Sequence, residues 1–427
     1  MLSRSLERLA NLDWRLVFVA ALTLHLAALA VRPTTFTRTE NLRAGFTLAE
    51  RGHLGDPFIR PTGPTAHLSP VYPALVAAAY SVTHDERDAV RILGVIGAFA
   101  SALNAAMLLP LARRMRLPSG SGVLAAMLWI CPLFPWIQLS GEHETMLTTT
   151  AVVVTLTIMF GLLERSVLSG RQGALLGAVT GIGSHFSPLV LPMVLLAVGA
   201  ALLSSRPVIR VRRAFGLAFV ASLLLVIAPY TIRNRVVMGS TFFIRDNLGL
   251  ELAVSNGDRA RPTAEANAMK GAAMDDHPFI SGKVAARVRS MGEVAYNRAR
   301  MREALQWIQS HPRDFLQITA QRAGYLALPH SPREYQRLIA ALLSIGMLGG
   351  LVLLYRSGGR TTAATAAGAW LGYQGIYLFV QHDLRYVYPM LWVQSLVAAS
   401  VPAMLLAQTY APTVRRRAEV VAMGDRG

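Results

Sequence analysis

The chain has 427 residues, of which 53% are hydrophobic and only 15% charged. A soluble globular domain carries about a quarter charged residues, so composition excludes one and sets the chain out as a polytopic membrane protein, measured in spans of about 20 apolar residues. The formal charge of +18 is arginine charge, since Lys270 and Lys283 are the only lysines. Many arginines fall in short clusters between apolar runs, as orientation signals do, and not on one soluble face as a nucleic-acid reader would hold them. Cys131 is the single cysteine, which excludes an intramolecular disulfide and a cysteine-based zinc site.

In chain order, the first apolar run is Leu16 to Val31, preceded by Arg4, Arg8 and Arg15. Ala28-Leu29-Ala30 resembles a signal-peptide cleavage site, but the long basic segment before the run favours an uncleaved first helix. The later runs are Val90–Leu111, Gly122–Leu139, Met146–Leu163, Ala174–Leu203, Ala214–Tyr230, Leu338–Tyr355, Thr362–Val380 and Val387–Ala407. The run 174–203 is too long for one span and breaks at Ser184-His185-Phe186-Ser187-Pro188, so it reads as a hairpin of two short helices. The expected architecture is therefore an all-α integral membrane protein of about ten transmembrane helices. No repeat and no low-complexity linker is visible.

Short-loop charge sets the expected sidedness. The N-terminal arginines, Arg113/Arg114/Arg116, Arg165/Arg171, Arg206/Arg210/Arg212/Arg213, Arg356/Arg360 and Arg415-Arg416-Arg417 share one side. By the positive-inside rule that side is cytoplasmic, and both termini lie there. The outward side then holds a long first loop (32–88), a turn at Ser140–Thr145, the segment 232–333 and the connection Gln381–Tyr386. The expected division is an N-terminal bundle (1–231), a small outward helical cap (232–333) and C-terminal helices with a cytoplasmic tail (334–427). Within the cap, Asp258–Ser281 reads as a loop. Val294, Met301, Leu305 and Ile308 keep helical spacing up to His311-Pro312, and a second amphipathic helix runs over Phe315–Leu328.

Ionisable groups near one membrane face need a reason, because an unpaired buried charge costs several kcal/mol. Glu40 follows the first helix. Gly63-Pro64-Thr65-Ala66-His67-Leu68-Ser69-Pro70-Val71-Tyr72-Pro73 is too rich in proline for a span and reads as a shaped, rigid loop. Glu142, His143 and Glu144 sit between the third and fourth helices, Arg233-Asn234 closes the seventh, and His382-Asp383-Leu384-Arg385-Tyr386 joins the last two. Singly, most of these read as ordinary interfacial charges. Together they can line one outward cavity. His25 and His185, inside helices, read as packing histidines.

The patterns Thr39-Glu40-Asn41, Leu48-Ala49-Glu50-Arg51-Gly52, Asp56-Pro57-Phe58 and Gly63 through Pro73 resemble bacterial relatives of the protein O-mannosyltransferases and the lipid A aminoarabinose transferases. These are family 39-like members of the GT-C superfamily of polyprenyl-phosphate-sugar glycosyltransferases. Pro229-Tyr230-Thr231-Ile232-Arg233-Asn234, Asn247-Leu248-Gly249-Leu250-Glu251 and Arg385-Tyr386 to Pro389 fall where that family has similar signatures. The resemblance covers most of the chain in order, and its specificity lies in the ordered combination. Two departures stand out. Members usually carry aspartate where Glu40 stands, as glutamate does in some bacterial branches. Many also carry a base beside the proline of the fifth–sixth hairpin, where Ser187 precedes Pro188 here.

The resemblance implies inverting transfer of a hexosyl or pentosyl sugar from a polyprenyl-phosphate donor to an acceptor protein, lipid or glycan, at the outer face of the inner (plasma) membrane. Such chemistry needs a base for the acceptor proton and cations for the departing phosphate. Glu40 is the expected base and Glu144 the second carboxylate. Arg233 is the first expected phosphate ligand, since a guanidinium forks onto two oxygens, with Arg385, Tyr386 and His67 as further donor-binding candidates. No metal motif is apparent, because Glu142, His143 and Glu144 are adjacent and point apart on a helix, so no cofactor is expected. No nucleic-acid partner is expected, and no P-loop or nucleophile elbow is present. The alternative is a transporter or flippase of lipid-linked sugars, whose charges would sit nearer the bilayer midplane.

Overall fold

The computed structural model describes residues 12–31, 36–130, 143–205, 210–329 and 334–424, with the side chains of 143, 210 and 406–424 outside that description. The helices are α1 (Trp14–Val31), α2 (Glu40–Arg51), α3 (Val71–Thr83), α4 (Glu86–Arg114), α5 (Ser121–Ile130), α6 (His143–Leu163), α7 (Gly170–Phe186), α8 (Val190–Ser204) and α9 (Arg213–Met238). They continue with α10 (Leu248–Ser255), α11 (Ala264–Lys270), α12 (Ala272–Asp276), α13 (Gly282–Met291), α14 (Glu293–Ser310), α15 (Pro312–Ala327), α16 (Glu334–Arg356), α17 (Arg360–Gln374) and α18 (Leu384–Gly424). A one-turn 3₁₀ helix, Gly375–Leu378, extends α17. The only strands among the described residues are Val167–Leu168 and Arg210–Val211, a two-residue parallel pair.

Among the described residues, six helices are long and apolar enough to cross a membrane: α1, α4, α6, α9, α16 and the Leu384–Leu405 part of α18. The chain is a multi-pass membrane protein, and these six match six of the ten expected spans. The hairpin helices α7 and α8 have 17 and 15 residues, and α17 has 15 before it tightens into the 3₁₀ turn. At 1.5 Å per residue such helices fall short of a 30 Å hydrocarbon core. The third expected span is described only as far as Ile130; Glu142 and Arg206 lie outside the described residues.

Small residues set the closest helix packing. In α7, Gly173, Gly177 and Gly181 recur every four residues against α9; a Cβ at Gly173 would sit 2.1 Å from the Phe215 carbonyl oxygen, and one at Gly177 2.2 Å from that of Phe219. Gly368 and Gly372 of α17 do the same against α8. Lipid offers no hydrophobic drive between helices, so close backbone approach with its van der Waals gain replaces it. At the centre, α18 packs against α5, α6 and α16 and buries Trp392, Tyr388 and Leu396 almost completely.

The polar end of the bundle departs most from expectation. The long first loop (32–88) holds two helices, α2 and α3, on either side of the 63–70 loop. Thr39 caps α2, accepting from the Leu42 N–H at 3.4 Å, and Gly52 ends it in the left-handed region at φ +72°. Pro73 sits in the first turn of α3, where its missing N–H costs nothing. A Cβ at Gly45 would meet Val76 at 2.4 Å, so α2 and α3 pack nearly backbone to backbone. Helix α9 runs through Pro229 and past Arg233 to Met238, where Gly239 ends it at φ +69°. Proline removes a single bond of the ladder, and the helix outlasts it. The stretch 258–281 holds α11 and α12 instead of only loop. Helix α14 ends at the expected His311-Pro312, and α15 starts on Pro312 itself.

Candidate active site

Glu40 is the first residue of α2, where a helix's unsatisfied N–H groups favour negative charge. Its Oε1 lies 3.4 Å from Nε2 of His67, with the Glu40 side chain a quarter exposed and His67 fully buried. Burial works to raise the Glu40 pKa, yet the charge and hydrogen bond of His67, with His277 and Arg385 behind them, hold it down to about 2. Burial likewise works to lower His67, and Glu40 overcomes it, so the imidazole titrates above its ordinary range. The two form an ion pair.

The loop carrying His67 is held from several sides. Both oxygens of Glu293, the first residue of α14, accept from it: the Thr65 hydroxyl at 2.5 Å and the Ala66 N–H at 2.7 Å. Arg245 donates Nε to the His67 carbonyl at 2.8 Å, and the Asp246 N–H donates to the Ala66 carbonyl at 2.9 Å. Asn297 ties the α14 side to the same strap, donating to the Asp246 carbonyl at 2.7 Å and accepting from the Leu250 N–H at 3.1 Å. Residues more than two hundred positions apart thereby fix one imidazole. Burial drives the Asp246 pKa up to about 6 against the pull of Arg298 and His67. Glu293 is also raised, burial outweighing His67 and the Thr65 and Ala66 hydrogen bonds.

Arg233 belongs to this scaffold. Its NH1 donates to the Thr65 carbonyl at 2.9 Å and to Asn234 Oδ1 at 3.1 Å, and its NH2 to the Leu54 carbonyl at 3.1 Å. The guanidinium expected to fork onto a phosphate is forked instead onto two carbonyls of the first loop. Sequence reasoning placed it correctly at the polar end, but carbonyls this far away in sequence leave no mark near it.

Glu144, in the first turn of α6, accepts a short hydrogen bond from the side-chain amide of Asn41, the neighbour of Glu40. The two expected carboxylates thus come to one place. Arg385 is in the first turn of α18, 3.4 Å from Asp383 through Nε, donating NH2 to the Tyr386 hydroxyl at 3.1 Å, and its charge is felt at Glu40. The Tyr386 ring stacks on Tyr377 at 5.0 Å. His185 bonds the Gly181 carbonyl of its own helix at 2.8 Å, away from this set.

His277 is the residue sequence reasoning missed. It follows α12, its ring lies 6.2 Å from that of His67, and its Nε2 is 4.0 Å from Glu251 Oε1. Burial raises Glu251, but the hydrogen bond and charge of His277 prevail and hold it below the ordinary carboxylate range. One donor atom each from Glu40, His67 and His277 lie within 4.8 Å of one another. Two imidazoles and a carboxylate suit a divalent transition metal with an open position, and Nδ1 of His67 is buried without a hydrogen-bond partner among the described residues. The three donors come from three segments, so no ligand spacing exists for a sequence to show.

No protein-family model and no curated protein matches the chain. Among solved structures, the Archaeoglobus fulgidus oligosaccharyltransferase in its apo form is similar over 96% of this chain, with a TM-score of 0.53 at 14% identity. The chain shares the fold of that oligosaccharyltransferase. The chain spans 52% of the oligosaccharyltransferase's length. ArnT from Cupriavidus metallidurans bound to undecaprenyl phosphate is similar over 90% of this chain and 77% of its own, with a TM-score of 0.41 at 14% identity. Its apo state gives 0.34 at 15% identity over the same shares. In this chain the polar cluster at one end of the fold is built from α2, the 63–70 loop, the strap 245–251, the residue after α12 and the start of α18.

Proposed function

We propose that the chain transfers a hexosyl or pentosyl sugar, with inversion, from a polyprenyl-phosphate donor to an acceptor hydroxyl or amine on a protein, lipid or glycan. The Glu40 end of the bundle is the outer face of the inner membrane in this reading, with both termini cytoplasmic. The observation that carries it is an ionised Glu40, locked to His67 and close enough to Arg385 to feel its charge, at the polar end of a GT-C fold. A carboxylate held near pH 2 is charged at every physiological pH but weakly basic. It therefore takes the acceptor proton late in the transition state, as the acceptor atom bonds to the anomeric carbon and turns strongly acidic while the donor's C–O bond breaks toward phosphate.

Arg385 is the cation for the departing phosphate, steadied by Asp383 and Tyr386. Glu144 orients the acceptor or the sugar from beside Glu40 through Asn41. Arg233, with its donors committed to carbonyls, acts through the His67 loop. A divalent ion held by Glu40, His67 and His277 would supply further positive charge beside the phosphate.

The test is single-turnover transfer at matched protein levels, alongside donor affinity. Glu40→Gln is nearly isosteric and removes proton acceptance, so transfer falls by roughly 10²- to 10⁴-fold while donor binding holds. A variant that keeps more than about a tenth of the rate, below the loss expected of a general base, overturns the role of Glu40.

A further inference from the structure

A polar cleft lies beside α2, the helix that carries Glu40. A cleft of about 200 Å³ opens between α2, the 56–61 loop and the start of α4, and Arg38, Arg43, Arg51 and Arg60 line it. Two of the four are neutralised. Arg38 donates Nε and NH2 to the two oxygens of Glu86 at 2.8 and 2.5 Å. Arg51 meets Asp56 Oδ2 at 3.0 Å, and the other Asp56 oxygen is taken by the backbone N–H groups of Thr62 and Gly63 at 2.8 and 2.7 Å. The remaining carboxylate, Glu50, accepts the Tyr80 hydroxyl at 3.2 Å.

Arg43 and Arg60 pair with no carboxylate among the described residues, and Nε of Arg43 is buried with no hydrogen-bond partner there. Burial and the like charge of Arg38 both pull the Arg43 pKa below its ordinary value, against the weaker help of Glu86. A half-buried guanidinium beside another cation, with its Nε shut off from water and unpartnered among the described residues, is a charge placed to take an anion. Arg60 reaches the first residue of α13 because that residue is Gly282, where a Cβ would come within 2.8 Å of Arg60 Nε.

We propose that this cleft binds a phosphomonoester carried by the acceptor, its dianion shared between Arg43 and Arg60. Two uncommitted guanidiniums match a group of nearly two negative charges and three acceptor oxygens better than a carboxylate. The assignment to the acceptor rests on the reading of the chain as a transferase and follows from position. Arg43 is three residues from Glu40 on α2, and i, i+3 residues neighbour each other on a helix. Phe58 lines the cleft on one side and packs its ring against His67, at 5.0 Å, on the other. A phosphate anchored here sets the next hydroxyl or amine of the same molecule toward Glu40.

The test uses the full chain in phosphatidylcholine nanodiscs saturated with undecaprenyl phosphate, so that the donor site is filled, with glucose 1-phosphate as probe in calorimetry. The wild type should bind it saturably, and Arg43→Gln and Arg60→Gln should each weaken binding at least tenfold. Arg60 is exposed at the rim, so its variant decides the matter if Arg43→Gln does not reach the membrane. Phosphatidate in the nanodisc that competes with the probe assigns the phosphate to a lipid headgroup, and absence of competition assigns it to a soluble or glycan acceptor. Either result upholds the site. Unchanged affinity in both variants, or equal affinity for glucuronate, overturns it. Failure of the transferase reading is separate: the wild type would then show no sugar transfer while the arginine variants still lose the probe.

Discussion

Arg233 satisfies two carbonyls of the first loop from a helix that begins some 150 positions later. Hydrogen bonds to a charged donor contribute about 1.5–3 kcal/mol each, and a buried carbonyl left bare costs more than a solvated one. Arg233→Ala should therefore loosen the 54–67 loop: thermal stability in detergent falls, and amide exchange at 54–67 quickens. Arg233→Lys keeps the charge, loses the fork and should behave as the alanine variant does in exchange. Loss of donor affinity with loop exchange unchanged would return Arg233 to the phosphate. At this scale the sequence marked Glu40, His67, Glu144 and Arg385 by their placement near one membrane face. It could not mark His277, Asp246 or Glu293, whose neighbours in the chain are ordinary cap residues and whose chemistry comes only from what they face.

Helix contacts tell a similar story one level up. The stripe Gly173, Gly177, Gly181 lets α7 lie against the backbone of α9, and the hairpin partner α8 meets Gly368 and Gly372 of α17 in the same way. At Gly173 and Gly177 an added side chain finds no room by repacking, because the first atom it meets is a backbone carbonyl oxygen. Gly177→Leu should lower the melting temperature in detergent by the overpacking cost, about 1–3 kcal/mol or more. Gly199→Leu on α8 faces open space and should be silent. Equal melting of the two variants would mean that α7 and α9 do not rely on close approach. Apolar periods located these helices well. Their ends were less legible where a proline stood, because Pro229 and Pro73 are tolerated inside or at the start of helices that composition alone would break there.

For the whole molecule, arginine asymmetry and the polar cluster make one joint statement about sidedness. If Glu40, His67, His277 and Arg385 face outward, the loops that carry them must do so together. Reporter fusions after Asp56, Ala264 and Gln381 should therefore all read outside, and one after Arg417 inside. A single reversed sign breaks both the topology and the proposed outward chemistry. Of the ten expected spans, six are long and apolar enough to cross among the described residues. A run of apolar residues reports that a segment avoids water, and helices too short to cross avoid it equally well when packed against their neighbours.

Composition and hydropathy by themselves determined that this chain is a helical membrane protein with most of its charged residues outside the apolar runs, because lipid admits few other backbone solutions and penalises stray charge. The ordered motifs added the GT-C resemblance, and a solved oligosaccharyltransferase shares the chain's fold. Only the tertiary structure decided which charges meet. It joined Glu40 to His67, spent Arg233 on loop carbonyls, brought His277 in from the cap, and left Arg43 and Arg60 uncommitted beside paired Arg38 and Arg51. The reason is range: spacing along the chain reports on the few neighbours a helix brings round, whereas a buried charge takes its partner from whatever segment the packing delivers.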